Sequence, residues 1–455
     1  MEVKTVTNSP MVAEAAALPE KVDESDGSIH IDPELERKVL KKFDMLVMPQ
    51  FIIIILLAYL DRSNIGNARV FGFEEDLGLV GNQFANISSF FYVTYVIFEV
   101  PWVLAVKHFG ANSVAAIAIV LWSAITLGTG FVKNYGQTIA MRLLLGFAEA
   151  GIFPALVFVI STIYPRESQA KRVAVLYGAS ALSGAFGGLI AYGIQLMGDR
   201  HGLSAWRWLF IVEGIISMVL GAACWTTLPK TAEHAWFLNA QERQLMEDKR
   251  RKDFVYKGES KLSWADVKLA FADPMVIMAG VCLFCASIPL FGFGIFLPTI
   301  IAGLGFKSIQ VNYLTIPVYI FGCLYLALMT YLSDRLRKRA IFMMSATSIV
   351  VIGYAIVIGN NITPDSKRSA AIPWFTCIGN ISGVAASQVY PTFTAPRYIM
   401  GNAISMAMEI SAILGAGVIW FILYRRTQEK ERLIAEGVTD NGKKGDKALH
   451  FKYIY

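Results

Sequence analysis

Charge is what this chain is short of. Asp, Glu, Lys and Arg make up 17% of its 455 residues, against about 25% in a soluble domain. Hydrophobic residues fill the difference, at 55% of the chain with a mean hydropathy of +0.50. That balance argues against a soluble enzyme, a nucleic-acid module and a disordered scaffold. Cysteine is scarce as well: Cys224, Cys282, Cys285, Cys323 and Cys377 all fall inside apolar runs, so no disulfide framework is expected. Cys282 and Cys285 lie one helical turn apart without a second pair or a His cluster, so no metal site is expected. No nucleophile–base set or phosphate loop stands out, and neither enzymatic activity nor a cofactor is expected. No short apolar segment lies near Met1, hence no cleavable signal peptide is expected.

What the chain has is long apolar runs. A bilayer core about 30 Å thick needs roughly 20 apolar residues in a helix. Runs that meet or approach this are 45–60, 84–106, 113–132, 138–163, 171–196, 206–228, 275–300, 311–332, 340–359, 370–390 and 398–424. The chain reads as a polytopic, all-α membrane protein. Residues 1–43 are polar and without periodicity, the pattern of a disordered cytosolic tail. The polar stretch 229–272 is rich in Lys and Arg, so the positive-inside rule makes it a cytosolic central loop. Lys38, Lys41 and Lys42 before the first run, and Arg166, Lys171 and Arg172 after the fourth, agree with an inner N-terminus. The expected divisions are therefore an N-terminal half of six helices at 44–228, a C-terminal half at 273–425 with about five, and a basic, cytosolic tail at 426–455. Eleven crossings would place that tail, with Arg425, Arg426 and Lys430, outside. Either 370–390 does not cross, or a helix that should precede it is absent.

Charges inside apolar runs cost about 2.5–3.5 kcal/mol each on insertion scales and need a reason. Glu99, Arg142, Glu149, Glu213 and Glu409 are such residues. Arg142 and Glu149 are seven positions apart, on one face of one helix. A guanidinium facing a cavity is a fork for a carboxylate, and a carboxyl in a dry site can load and release a proton. The alternative is that Arg142 snorkels while Glu149 and Glu213 brace neighbouring helices. Gly146, Gly151, Gly184, Gly187 and Gly188 form small faces for close helix packing. Asp334, Arg335 and Arg339 lie in an acid-among-bases segment after the eighth run, a candidate gating loop or ordinary positive-inside flanking.

Several motifs resemble the major facilitator superfamily and, within it, the fungal anion:cation symporters related to allantoate permease. They are Leu60-Asp61-Arg62-Ser63-Asn64-Ile65-Gly66-Asn67-Ala68, Phe98-Glu99-Val100-Pro101, the stretch from Arg142 through Glu149 to Pro154, Trp206-Arg207-Trp208 with Glu213-Gly214, and Phe296-Leu297-Pro298. The resemblance implies two helical halves around a midplane site with alternating access, here with about one helix lacking in the C-terminal half. It implies proton-driven uptake of a small organic anion by a monomer in the plasma membrane; family substrates include allantoate, ureidosuccinate, nicotinate, pantothenate and biotin. Efflux of a metabolite, or a non-transporting form that follows from the lacking helix, are the alternatives. Arg142, Asn64, Tyr92 and Tyr95 are the substrate-binding candidates, and Glu149 and Glu213 the proton-coupling ones. Asn361 begins a glycosylation sequon.

Overall fold

The computed structural model describes residues 32–257 except 230, 271–336 except 273, 304 and 307, then 365–390, 399–436, 438 and 449. Among these residues the regular elements are helices, and one isolated bridge joins Arg200 to Leu203. In chain order they are α1 (Pro33–Leu46), α2 (Met48–Val70), the short α3 (Phe73–Asp76), α4 (Gln83–Phe109), α5 (Ala111–Thr129), α6 (Tyr135–Glu149) and α7 (Ile152–Ile163). There follow α8 (Arg166–Met197), α9 (Ala205–Thr227), α10 (Ala240–Lys257), α11 (Pro274–Gly303), α12 (Ser308–Leu336), α13 (Asp365–Val389) and α14 (Ile399–Ala435). Eight helical stretches among the described residues are long and apolar enough to cross a bilayer.

The stretch 138–163, one uninterrupted apolar run in sequence, is broken in the structure. Gly151 adopts φ +78° and separates α6 from α7, a backbone conformation that side chains rarely tolerate. A Cβ there would also come within 2.6 Å of Trp102 Cβ and 2.9 Å of the Glu99 carbonyl. At Gly146 a Cβ would collide with the Phe91 carbonyl, so this glycine sets how closely α6 approaches α4.

Helix α1 corrects the expectation that everything up to residue 43 is disordered. Asp32 accepts from the Glu34 amide at 2.9 Å, and Pro33 opens the helix. Val39 and Phe43 are fully buried, and the Phe43 ring meets Phe237 edge-on at 5.0 Å. Two ion pairs join α1 to the region of α10: Lys42 to Glu242 at 2.7 Å and Lys249 to Glu36 at 2.8 Å. Asp44 takes both Nε and Nη2 of Arg172, at 3.0 and 2.6 Å, and the Tyr164 hydroxyl at 2.8 Å. The polar stretch 229–272 thus contains a helix, and that helix is anchored to the base of the bundle.

Two antiparallel pairs join the halves. Between α8 and α12, Gln195 meets Asn312, Gly188 faces Thr315, Gly184 faces Tyr319 and Gly178 faces Cys323. Between α4 and α13, Asn86 meets Gln388, Ser89 meets the Val384 carbonyl, Val96 meets Cys377 and Glu99 meets Asn380. Residues 370–390 therefore lie along α4 within the bundle. By its pairing with α4 and its parallel packing on α11, α13 takes the place in its half that α8 takes in the other.

These directions also settle the parity. Because α12 ends beside the start of α8, and α13 begins toward the end of α4, Leu336 and Asp365 both lie at the end of the bundle that carries α1. The run 340–359 lies outside the described residues. Helix α14 starts near Tyr390, whose hydroxyl bonds Ser405 at 3.0 Å, and runs back past Cys282 of α11. Arg425, Arg426 and Lys430 return to the α1 end, which removes the conflict with the charge rule.

Candidate functional site

The middle of the first half holds a cluster of charge that the sequence motifs only partly announced. Helix α2 contributes Asp61, 1% exposed, Asn64, 0% exposed, and Arg62. Helix α6 contributes Arg142, 3% exposed, and Glu149, 0% exposed, while α9 contributes Glu213, 1% exposed. Apolar neighbours in α2 and α6 bury these groups because the helices pack on both sides: α2 against α8, α9 and α11, and α6 against α4 and α5.

Arg62 and Glu149 form the built ion pair, Nε to Oε2 at 2.8 Å. Aromatic faces enclose the guanidinium: Tyr95 at 4.6 Å, Tyr59 at 4.8 Å and Phe91 at 5.3 Å. Such stacking suits a desolvated Arg and holds it flat. Tyr95 is thus placed at the cluster. Tyr92 packs instead against Phe291 of α11, with ring centroids 4.9 Å apart, and against Gly383 of α13, so it joins the two halves beside the site.

Arg142 is held differently. Its ring neighbour is Phe210 at 5.8 Å, and its Nε and Nη2 are buried without a hydrogen-bond partner. Asp61, Glu149 and Glu213 are its electrostatic neighbours. Asp61, which lies beside Thr126 and Glu213, Glu213 itself, Oε1 of Glu149 and both amide atoms of Asn64 are likewise buried without a well-formed hydrogen bond. Thr126 Oγ1 and Ser217 Oγ add two hydroxyls in the same condition, from α5 and α9. A buried polar group left unbonded costs about 1–3 kcal/mol, so a group of them on four facing helices makes a polar centre inside an otherwise apolar half. Fully ionised, the cluster has three carboxylates against two guanidinium groups, one negative charge in excess.

Glu99 stands apart from this cluster, accepting from Asn380 Nδ2 at 3.1 Å across the halves. Asp334 and Arg335 fall in the last turn of α12 at the α1 end; Arg339 and Asn361 lie outside the described residues. Sequence reasoning assigned no role to Asp61 or Arg62, although both lie in a motif it singled out. The signal was available: an acid and a base side by side, continuing a helix whose apolar run stops at residue 60. No group of three or more metal-ligating side chains is found among the described residues.

Comparison with known proteins agrees with this architecture. Residues 51–421 match the sequence profile described as Major Facilitator Superfamily. An uncharacterised transporter of Schizosaccharomyces pombe is 37% identical, over 95% of this chain and 93% of its own length. The high-affinity nicotinic acid transporter of Saccharomyces cerevisiae is 31% identical, over 95% of this chain and 87% of its own. Among solved structures, a D-xylose-proton symporter superposes with a TM-score of 0.58 at 15% identity, covering 83% of this chain and 97% of that one.

Proposed function

The chain belongs to the Major Facilitator Superfamily, and we propose that it imports a small organic carboxylate together with protons. It is a multi-pass membrane transporter; the substrate class, the coupling, the placement in the allantoate permease-related branch and the plasma membrane are our reading. The observation that carries it is Arg142: a buried guanidinium with two unbonded nitrogens among carboxyl groups. A substrate carboxylate supplies what those nitrogens lack, in the two-pronged geometry that Arg favours.

Charge balance supplies the coupling. One proton neutralises the excess on the cluster, and a second leaves it positive, the state that an anion matches. Asp61 and Glu213, which flank Arg142 and are each other's electrostatic neighbours, are the groups we assign to carry those protons. Glu149 is engaged with Arg62 and acts as its counter-ion, exchanging that pairing as the halves rock. Nicotinate is the first substrate to test, since a relative 31% identical is named for nicotinic acid.

The α1 end carries Lys42, Arg172, Lys249 and Arg425, so we place it in the cytosol and the far end outside. The test is uptake of labelled nicotinate into intact cells and proteoliposomes, with and without a protonophore. Saturable uptake that collapses with the proton gradient supports the reading; saturable uptake indifferent to the gradient removes the coupling.

A further inference from the structure

A second buried arginine lies where the site above does not reach. Arg69 is in the last turn of α2, at the far end of the bundle. Its side chain is only 9% exposed and is clamped by the rings of Phe84 at 4.4 Å and Phe296 at 5.8 Å. Nη2 pairs with Glu74 at 3.1 Å, and Nη1 is buried without a partner. Beside it lies a narrow cleft between the halves, open to solvent and lined also by Asn82, Gln388 and Tyr390.

The rest of the lining suits an anion. Helix α4 begins at the cleft, and its cap residue Asn82 makes no side-chain capping bond. The amide-rich, positive end of the helix therefore faces the same space as the guanidinium. Gln388 borders the cleft from α13, its amide nitrogen engaged in donating to Asn86 at 3.1 Å and Ser89 at 3.3 Å, so it fixes the wall and leaves the anion to Arg69. Phe296 and Tyr390 stack at 5.3 Å and form an apolar wall. One half supplies the arginine and the helix terminus; the other supplies the aromatic wall.

From this we infer that the far end of the bundle holds a second anion site, built on Arg69, that takes a small planar carboxylate between the two halves. Nη1 and the start of α4 receive the carboxylate, and the Phe296–Tyr390 wall takes the apolar body. The ligand class rests on the carboxylate reading above, but the site is separate in space and in residues from Arg142.

Cysteine protection tests it. Asn82 is exposed, so N82C can be labelled with a membrane-impermeant maleimide on intact cells. Nicotinate, benzoate and acetate serve as probes, and nicotinamide as the uncharged control. Nicotinate or benzoate is expected to slow labelling of N82C and, equally, of R142Q/N82C, in which the central arginine is gone. In R69Q/N82C the half-protecting concentration is expected to rise about tenfold or more, the loss of a charge-assisted bond. R69K/N82C, which keeps the charge but not the fork, should fall between them and stands in if R69Q does not fold.

Absence of protection by all three acids overturns the inference, as does equal protection by nicotinamide, protection that survives R69Q, or protection lost in R142Q. The two readings separate cleanly. Protection without saturable uptake retains the Arg69 site and removes the transport reading; uptake without protection does the reverse.

Discussion

Arg62 reaches Glu149 at 2.8 Å across 87 positions of sequence, whereas Arg142, on the same helix as Glu149, leaves Nε and Nη2 unbonded. Two arginines within one buried cluster are therefore in opposite conditions. One is paired, stacked on three rings and structural in the resting state. The other keeps two buried nitrogens without a hydrogen bond.

That difference predicts opposite phenotypes. Removing one member of a buried ion pair strands the other and costs about 3–5 kcal/mol. R62Q and E149Q are each expected to lower the thermal stability of the purified protein markedly, and R62Q/E149Q to recover part of the loss. A double-mutant cycle on melting temperature checks this; additive effects would mean that the pair is not coupled.

Arg142 substitutions should spare the fold and damage substrate affinity. R142Q is expected to raise the KM for nicotinate by about tenfold or more, corresponding to about 1.4 kcal/mol or more of lost binding. R142K should lie between R142Q and wild type, since an ammonium keeps the charge but loses the fork. Uptake kinetics normalised to protein at the membrane provide the measurement, and an unchanged KM in R142Q contradicts the assignment.

Gly146 is a packing position, and its substitution tests the α4–α6 approach. G146L forces the helix away from the Phe91 carbonyl, at a cost of about 1–3 kcal/mol for overpacking. Surface expression and melting temperature should both fall. A G146L protein as stable as wild type would show that α4 and α6 are less close than described.

The contact between α1 and α10 should weaken in acid. Burial works against the ionised form of Glu242, but the Lys42 ammonium and the Asn239 amide prevail and hold its carboxyl below the usual carboxylate range. A lowered value in the folded state means a contribution that is full above the unfolded pKa, about 4.3, and lost as pH falls through the folded value. Hydrogen exchange in α1 is expected to rise in that window in wild type. In E242Q the same amides should exchange faster at neutral pH and lose the acid dependence.

How far the sequence disclosed this arrangement depended on the kind of signal. Runs of apolar residues show helices well, because burial in lipid or in a bundle demands them. A single positive φ at Gly151 leaves no trace in hydropathy, so α6 and α7 read as one run. Helix α1 was masked by its own amphipathicity: Val39 and Phe43 are spaced for one buried stripe, yet the surrounding Lys and Glu make the average polar. Arg142, Glu149 and Glu213 stood out as charges in apolar surroundings and meet in one cluster. Asp61 and Arg62 sit just beyond their apolar run, where charge costs nothing in sequence, and only tertiary packing buries them. Arg69 was hidden in the same way.

The most direct test of carboxylate–proton coupling uses proteoliposomes with an imposed pH gradient, acidic on the side opposite α1. Labelled nicotinate should accumulate above its equilibrium level in wild-type vesicles. D61N and E213Q are expected to exchange nicotinate across the membrane but not accumulate it. Accumulation by wild type without any gradient, or full gradient-driven accumulation by both variants, would contradict proton coupling through this cluster.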